Sequence, residues 1–124
     1  MQLLESGEMY LETILILKKK KNTVRAIDVA EEMGLSRPSV SRGMAKLREA
    51  DCITVEEDGN LLFTEKGKAI ASKIYERHQV ITSLFTKLGV NDQTAEDDAC
   101  RIEHVISDET FNALKACEKM LKNG

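Results

Sequence analysis

The chain has 124 residues, of which 42% are hydrophobic, 31% charged and 4% aromatic, and its net charge at pH 7 is −3. This composition describes a soluble globular protein with one core or two small units, and excludes a disordered chain. Acidic residues interrupt the first apolar stretch, so we expect no signal peptide and no membrane span. Three cysteines do not form a disulfide framework, which favours a cytoplasmic protein.

The charge is distributed unevenly along the chain. Residues 18–48 hold nine basic and three acidic side chains, a net charge of +6. Residues 91–109 hold seven acidic side chains and one basic one, a net charge of −6. The basic segment is suited to phosphate groups and the acidic segment to cations.

Four elements are predicted in the first half of the chain. Apolar residues at helical spacing indicate a helix from Ser6 to Lys20, which ends in a run of lysines. A short second helix ends at Gly34, and we expect Leu35 to anchor the following turn in the core. Ser36 is a suitable N-cap for a third helix that continues to about Ala50. The alternating runs at 52–57 and 60–64, joined by Asp-Gly-Asn, predict a β-hairpin.

This order of elements is that of a winged helix-turn-helix, in which the N-terminal end of the second motif helix enters the DNA major groove. Hydroxyl and guanidinium groups at that end are suited to phosphates and base edges. The alternative is an ordinary polar helix face. The residues expected to contact double-stranded DNA are Arg25, Ser36, Arg37, Pro38, Ser39, Ser41, Arg42 and Lys46.

The second half of the chain is predicted to be entirely helical. One long helix should begin at the N-cap Thr64 and end before Gly89, and a second should cover 91–106. A third should begin at Ser107. The apolar residues of this half exceed what it can bury alone, so we expect a homodimer. The chain is therefore predicted to be mainly α, with a DNA-binding domain at 1–70 and a helical dimerisation and metal-binding domain at 71–124.

Three chemically active side chains share one arc of the helix predicted at 91–106. At 100° per residue, Cys100, Glu103 and His104 lie within a third of the helix circumference. They could ligate a metal, or form a Cys–His nucleophile, or belong to a regulator that senses oxidants through its thiol, or form a plain polar face. No oxyanion donor or glycine-rich loop accompanies them, so we do not expect an enzyme or a small organic substrate.

The chain also resembles the diphtheria toxin repressor and manganese transport regulator family of metal-dependent repressors along its whole length. The segments that carry this resemblance are GEMYLETI at 7–14, LSRPSVSRGMAKL at 35–47, FTEKGK at 63–68, RHQ at 77–79 and DDACRIEHVISDE at 97–109. The resemblance implies a bacterial or archaeal repressor of metal-homeostasis genes. The chain stops at Gly124, as in the short family form without an SH3-like domain.

The resemblance also implies a set of metal ligands. They are Met9, Glu12, His78, Cys100, Glu103 and His104, with Glu96 as a secondary candidate. Met9 and Cys100 follow the iron-responsive members of the family, whereas Glu12 follows the manganese-responsive ones. Thioether and thiolate are soft donors that disfavour Mn²⁺. We therefore expect Fe²⁺ as corepressor, with Co²⁺, Ni²⁺, Zn²⁺ or Mn²⁺ as alternatives.

Overall fold

The computed structural model describes residues 5–122, which form six α-helices and one two-stranded sheet. No helix in this range is long and apolar enough to cross a membrane. The chain divides within α4 into two compact units, one up to Ser72 and one from Lys73. In chain order the elements are α1 (Glu5–Lys20), α2 (Ala26–Met33), α3 (Arg37–Glu49), β1 (Ile53–Val55), β2 (Leu61–Phe63), α4 (Glu65–Lys87), α5 (Asp92–Ile102) and α6 (Asp108–Lys122).

The first unit is the expected winged helix-turn-helix. Helices α1, α2 and α3 pack against one another, and the antiparallel hairpin pairs Ile53 with Phe63 and Val55 with Leu61. The backbone N–H of Leu61 also donates to the carbonyl of Val24, which ties the hairpin to the segment before α2. The core of this unit contains Leu11, Ile14, Val24, Val29, Val40, Leu47, Cys52 and Leu61, all of them buried.

Local side-chain chemistry defines the helix ends of this unit, as predicted. Gly34 closes α2 with φ +67°, a left-handed conformation that favours glycine. The Oγ of Ser36 accepts a hydrogen bond from the backbone N–H of Ser39 at the start of α3. Thr64 likewise accepts from the N–H of Gly67 at the start of α4. A Cβ on Gly67 would collide with the carbonyl oxygen of Cys52. The start of α4 therefore lies so close to the backbone before β1 that only glycine fits there.

Two predictions for this unit are wrong in detail. Leu35 is 41% exposed and does not anchor its turn in the core. The strands cover only three residues each, because the polar turn between Glu56 and Asn60 closes with its own backbone hydrogen bonds.

The second unit consists of the end of α4 with α5 and α6. Its buried core is small and contains Ile81, Ala99 and Phe111, with partly buried apolar residues packed around them. Leu88, Val105 and Met120 are more than half exposed. The last helix begins as predicted, because Ser107 Oγ accepts from the N–H of Thr110.

The predicted helix at 91–106 is too long. Asn91 caps α5, which ends at Ile102, and a turn follows before α6. Glu103 and His104 therefore lie in this turn, which we name the ligand turn (residues 103–107), although the helical backbone angles of Glu103 preserve the direction of the arc shared with Cys100.

Candidate DNA interface and metal centre

Helix α3 presents a basic, exposed surface. Arg37, Ser41, Arg42 and Lys46 are all exposed on this helix, and they are four of the residues expected to contact DNA. A cleft of about 320 Å³ opens beside them and is lined by Ala26, Ile27, Arg37 and Ser41. This surface combines guanidinium, ammonium and hydroxyl donors with a short apolar wall, which is the chemistry that reads a DNA groove.

Other residues expected to contact DNA have local partners in the structure. The hydroxyls of Ser36 and Ser39 lie 3.0 Å apart at the start of α3. Arg42 Nη2 donates to Ser39 Oγ over 3.4 Å, so the two side chains are held on the same face. Pro38 is exposed in the first turn of α3, where a missing N–H costs no helical hydrogen bond.

Arg25 is bound to the tip of the wing. Its Nε donates to the carbonyl oxygen of Asp58 over 2.7 Å, and its Nη2 lies 3.7 Å from the Asp58 carboxylate. The backbone N–H of Arg25 donates to Asp28. The hydrogen bond from Lys21, followed by that from the Arg25 backbone, lowers the pKa of Asp28 below its usual value of 3.8. Arg25 therefore links α2 to a wing turn whose acidic residues would repel phosphate.

Sequence reasoning missed a close contact between α1 and α3. A Cβ on Gly43 of α3 would overlap the ring of Tyr10, and the Tyr10 hydroxyl lies 3.5 Å from the carbonyl oxygen of Ser39. Tyr10 stands between Met9 and Glu12 on α1. The helix that carries two candidate ligands thus packs directly on α3, the helix expected to contact DNA.

Those two candidate ligands lie one helical turn apart on α1. Met9 is partly buried, and its carbonyl accepts a hydrogen bond from Thr13. Glu12 is 7% exposed although its side chain is a carboxylate. Acidic side chains are rarely buried to this extent, so Glu12 remains a candidate for a role other than surface charge.

In the second unit, Glu103 is fully buried between two imidazoles. Its Oε2 lies 2.8 Å from Nδ1 of His78, and its Oε1 lies 3.3 Å from Nε2 of His104. No described residue donates a well-aligned hydrogen bond to Oε1. The structure thus brings together three of the predicted ligands, which come from α4 and from the ligand turn.

The remaining candidates lie along α5. Cys100 is partly buried one turn before Glu103, and Glu96 is exposed one turn before Cys100. Thr82 follows His78 by one turn of α4 at a position where the resemblance implies a carboxylate, and its buried hydroxyl has no hydrogen-bond partner among the described residues.

The donor set fits a divalent transition metal. Imidazole nitrogen, carboxylate oxygen and thiolate sulfur are the ligands of Fe, Co, Ni and Zn sites. Among residues 5–122, Oε1 of Glu103 has no hydrogen-bond donor, although buried carboxylate oxygens usually have one. A cation there would offset the cost of burying the charge.

Comparison with known proteins gives a consistent result for both units. Residues 2–61 match the family model of the iron dependent repressor, N-terminal DNA binding domain. Residues 64–122 match that of the iron dependent repressor, metal binding and dimerisation domain.

Individual relatives agree with this match. The diphtheria toxin repressor of Corynebacterium diphtheriae is 33% identical over 113 residues, which are 90% of this chain and 50% of that protein. An uncharacterised helix-turn-helix transcriptional regulator of Methanocaldococcus jannaschii is 30% identical over 96% of this chain and 97% of its own length. Among solved structures, the metal-dependent transcriptional regulator MtsR superposes with a TM-score of 0.82 at 28% identity, over 95% of this chain and 54% of that one. The chain thus spans about half the length of the diphtheria protein.

Proposed function

Because the chain belongs to the iron-dependent repressor family, we propose that it is a transcriptional repressor whose binding to DNA requires a divalent transition metal. The observation that carries the proposal is the buried Glu103, which stands between His78 and His104 in a chain whose other unit exposes a basic recognition helix. The proposed target is an operator in double-stranded DNA that controls metal-homeostasis genes. We also propose that the DNA-binding domain covers residues 1–70 and that the dimerisation and metal-binding domain covers residues 71–124.

We propose that His78, Cys100, Glu103 and His104 hold the metal, together with Met9 and Glu12. The burial of Glu103 between two imidazoles supports this assignment, because a metal ion would offset the cost of burying its negative charge. Glu96 is exposed and stays a secondary candidate. When bound, the ion supplies positive charge and a fixed geometry. Without it, the negative charge of the buried Glu103 is not offset by a metal ion, so we expect the ligand turn to be held less firmly.

The ligand chemistry supports Fe²⁺ as the corepressor. A thiol binds metal as the thiolate, so binding of a metal to Cys100 must displace the thiol proton, at a cost in free energy. A borderline ion such as Fe²⁺, Co²⁺, Ni²⁺ or Zn²⁺ recovers this cost in its bond to sulfur, whereas Mn²⁺ recovers less.

We propose that the repressor acts as a homodimer in the cytoplasm. In a dimer each subunit supplies one recognition helix, and the two helices, held at a fixed distance, read the two half-sites of an operator. The match of residues 64–122 to a metal binding and dimerisation domain supports self-association. The second unit also has a small buried core and leaves Leu88, Val105 and Met120 exposed.

A regulator that senses oxidants through Cys100 is the second candidate. Its support is that Cys100 is partly buried and that His104 follows it by four residues, a spacing at which a histidine can activate a cysteine. The buried carboxylate between two imidazoles is not needed for such a sensor, and therefore favours the metal. Loss of DNA binding in peroxide, with no response to metals or chelators, would select the oxidant sensor.

The metal half of the proposal is tested with Glu103→Gln, which keeps the shape of the side chain and removes its charge. We expect Co²⁺ affinity to fall at least tenfold, measured by titration of the visible Co²⁺ absorption. Glu109→Gln is the matched control, because Glu109 is an exposed acid at the start of α6. Equal Co²⁺ affinity in both variants would remove Glu103 from the site.

The DNA half is tested with Arg42→Ala, measured by fluorescence anisotropy on DNA from the region upstream of the protein's own gene. Loss of one phosphate or base contact should weaken binding about tenfold without changing the thermal stability. Arg101→Ala, an exposed arginine of α5, should bind as tightly as the unmodified protein. If the two variants bind equally, α3 is not the recognition helix.

A further inference from the structure

Arg77 is a buried cation that the proposed ligand set does not use. It is 5% exposed and immediately precedes His78 on α4. Its Nη1 donates to the carbonyl oxygens of Glu103 and Ile106, over 3.1 and 2.9 Å. Its Nη2 pairs with the Asp108 carboxylate, while the guanidinium lies over the ring of Phe111 at 5.4 Å.

These bonds satisfy carbonyl groups at and after the end of α5. The last carbonyls of a helix have no partner within the helix, and a guanidinium with its donors in one plane can bind several of them at once. Arg77 takes the carbonyl of Glu103, at the end of α5, and that of Ile106, just before α6. The two bonds span the ligand turn and fix its conformation from a neighbouring helix.

The position of Arg77 gives this turn a direct relation to the candidate metal centre. The side chain belongs to the helix that carries His78, and one of its hydrogen bonds ends on the backbone of Glu103 itself. Two contacts therefore hold His78 close to Glu103. One is the 2.8 Å contact between their side chains, and the other is the hydrogen bond from Arg77 to the backbone of Glu103. A ligand pair that is held before the metal arrives needs less ordering when it binds.

We propose that Arg77 is a positioning residue of the metal centre: it holds the ligand turn so that Glu103 and His104 face His78 before metal binds. The proposal rests on the proposed metal-dependent function. Arg77 itself does not touch the ion, because a guanidinium is always positively charged and has no lone pair to donate. Groups that orient metal ligands in this way typically change metal affinity by roughly 10–100-fold.

The test compares Arg77→Lys and Arg77→Gln with Lys73→Met. Lysine keeps the charge of Arg77 but loses the planar fork, and glutamine keeps one donor group without the charge. Lys73 is the matched control, since its Nζ lies 2.9 Å from the same Asp108 carboxylate and has no hydrogen bond to the carbonyls of the ligand turn. The probes are Co²⁺ alone, followed by its visible absorption, and thermal unfolding of the metal-free proteins.

We expect both Arg77 variants to bind Co²⁺ at least tenfold more weakly than the unmodified chain, at a temperature where circular dichroism shows them folded. Lys73→Met should bind within about twofold of the unmodified chain. A purely structural Arg77 predicts instead a lower unfolding temperature with unchanged Co²⁺ affinity, and that result overturns the proposal. So does failure of both Arg77 variants to fold, since the residue would then determine the fold of the unit as a whole. If the unmodified chain itself binds no Co²⁺, the proposed function fails with it.

Discussion

Replacing Gly43 by alanine tests the contact between α1 and α3. Two effects of opposite sign compete at this position. Alanine is the better helix former by about 1 kcal/mol in a helix interior. The added Cβ would lie 2.7 Å from Cζ and 2.9 Å from Cδ2 of Tyr10, closer than carbon atoms approach without displacement.

The cost of overpacking decides whether Gly43→Ala stabilises or destabilises the protein. Overpacking a tight contact typically costs about 1–3 kcal/mol, because the ring must leave its position. The net result for Gly43→Ala is therefore a destabilisation of about 1 kcal/mol. In a Tyr10→Leu background the ring is gone, and the same substitution should stabilise the protein by about 1 kcal/mol.

Urea unfolding of the four proteins of this double-mutant cycle measures the difference. We expect an interaction energy between the two positions of about 2 kcal/mol, which is well above the scatter of additive pairs. If Gly43→Ala stabilises the protein equally with tyrosine or leucine at position 10, the ring does not pack on α3 and the contact described above is wrong.

Further expectations concern the cysteines, one carboxylate and one glycine. Exposed Cys117 should react rapidly with iodoacetamide with or without Co²⁺, whereas Cys100 should become protected when Co²⁺ is added; equal Cys100 labelling in both states would exclude it as a ligand. Burial raises the pKa of the Cys52 thiol, so this thiol should react only on unfolding. Paired cations hold the pKa of Asp108 below its usual 3.8, so its contribution to stability is present above that value and is lost as the pH falls through the lowered pKa. Asp108→Asn should therefore be less stable than the unmodified chain at pH 7, with the gap closing in acid; a gap independent of pH would refute the ion pairs. Gly67→Ala should destabilise by more than about 2 kcal/mol in urea unfolding, because rigid backbone blocks its Cβ, and a neutral effect would contradict that approach.

The causes of the pKa shift at Asp108 illustrate how the second unit is held. The hydrogen bond from Lys73 lowers the pKa of Asp108 most, and that from Arg77 comes next. Both side chains extend from α4 to the start of α6. Helices that bury only a small common core are thus also joined by polar contacts. Lys115 with Glu76, and Glu118 with Lys87, connect the same two helices further along.

Sequence patterns predicted the helix ends that depend on neighbouring residues. Gly34, Ser36 and Thr64 each satisfy backbone groups within a few residues, so the local sequence contains the cause. The end of α5 was not predictable in this way. The carbonyl of Glu103, directly after α5, accepts a hydrogen bond from Arg77, which is 26 residues earlier in the chain, and only the packing of α4 on the ligand turn brings the two together.

The candidate site shows the same distinction. The shared arc of Cys100, Glu103 and His104 follows from helical spacing, and the family resemblance adds His78 to this set. The contact of His78 with Glu103 joins residues 25 apart, and burial of Glu103 depends on tertiary packing, so neither follows from spacing. The role of Arg77 could not be predicted either. Its position next to the candidate ligand His78 is visible in the sequence, but the sequence alone does not distinguish a buried arginine from an exposed one.

The most direct test of metal-dependent repression is the thermodynamic coupling between metal and DNA. Co²⁺ affinity is measured with and without DNA from the upstream region of the gene, and DNA affinity is measured with and without Co²⁺. We expect Co²⁺ and DNA each to tighten the binding of the other by the same factor, at least about fivefold, because coupling between two sites is reciprocal. DNA affinity that is the same in saturating Co²⁺ and in excess chelator would contradict it.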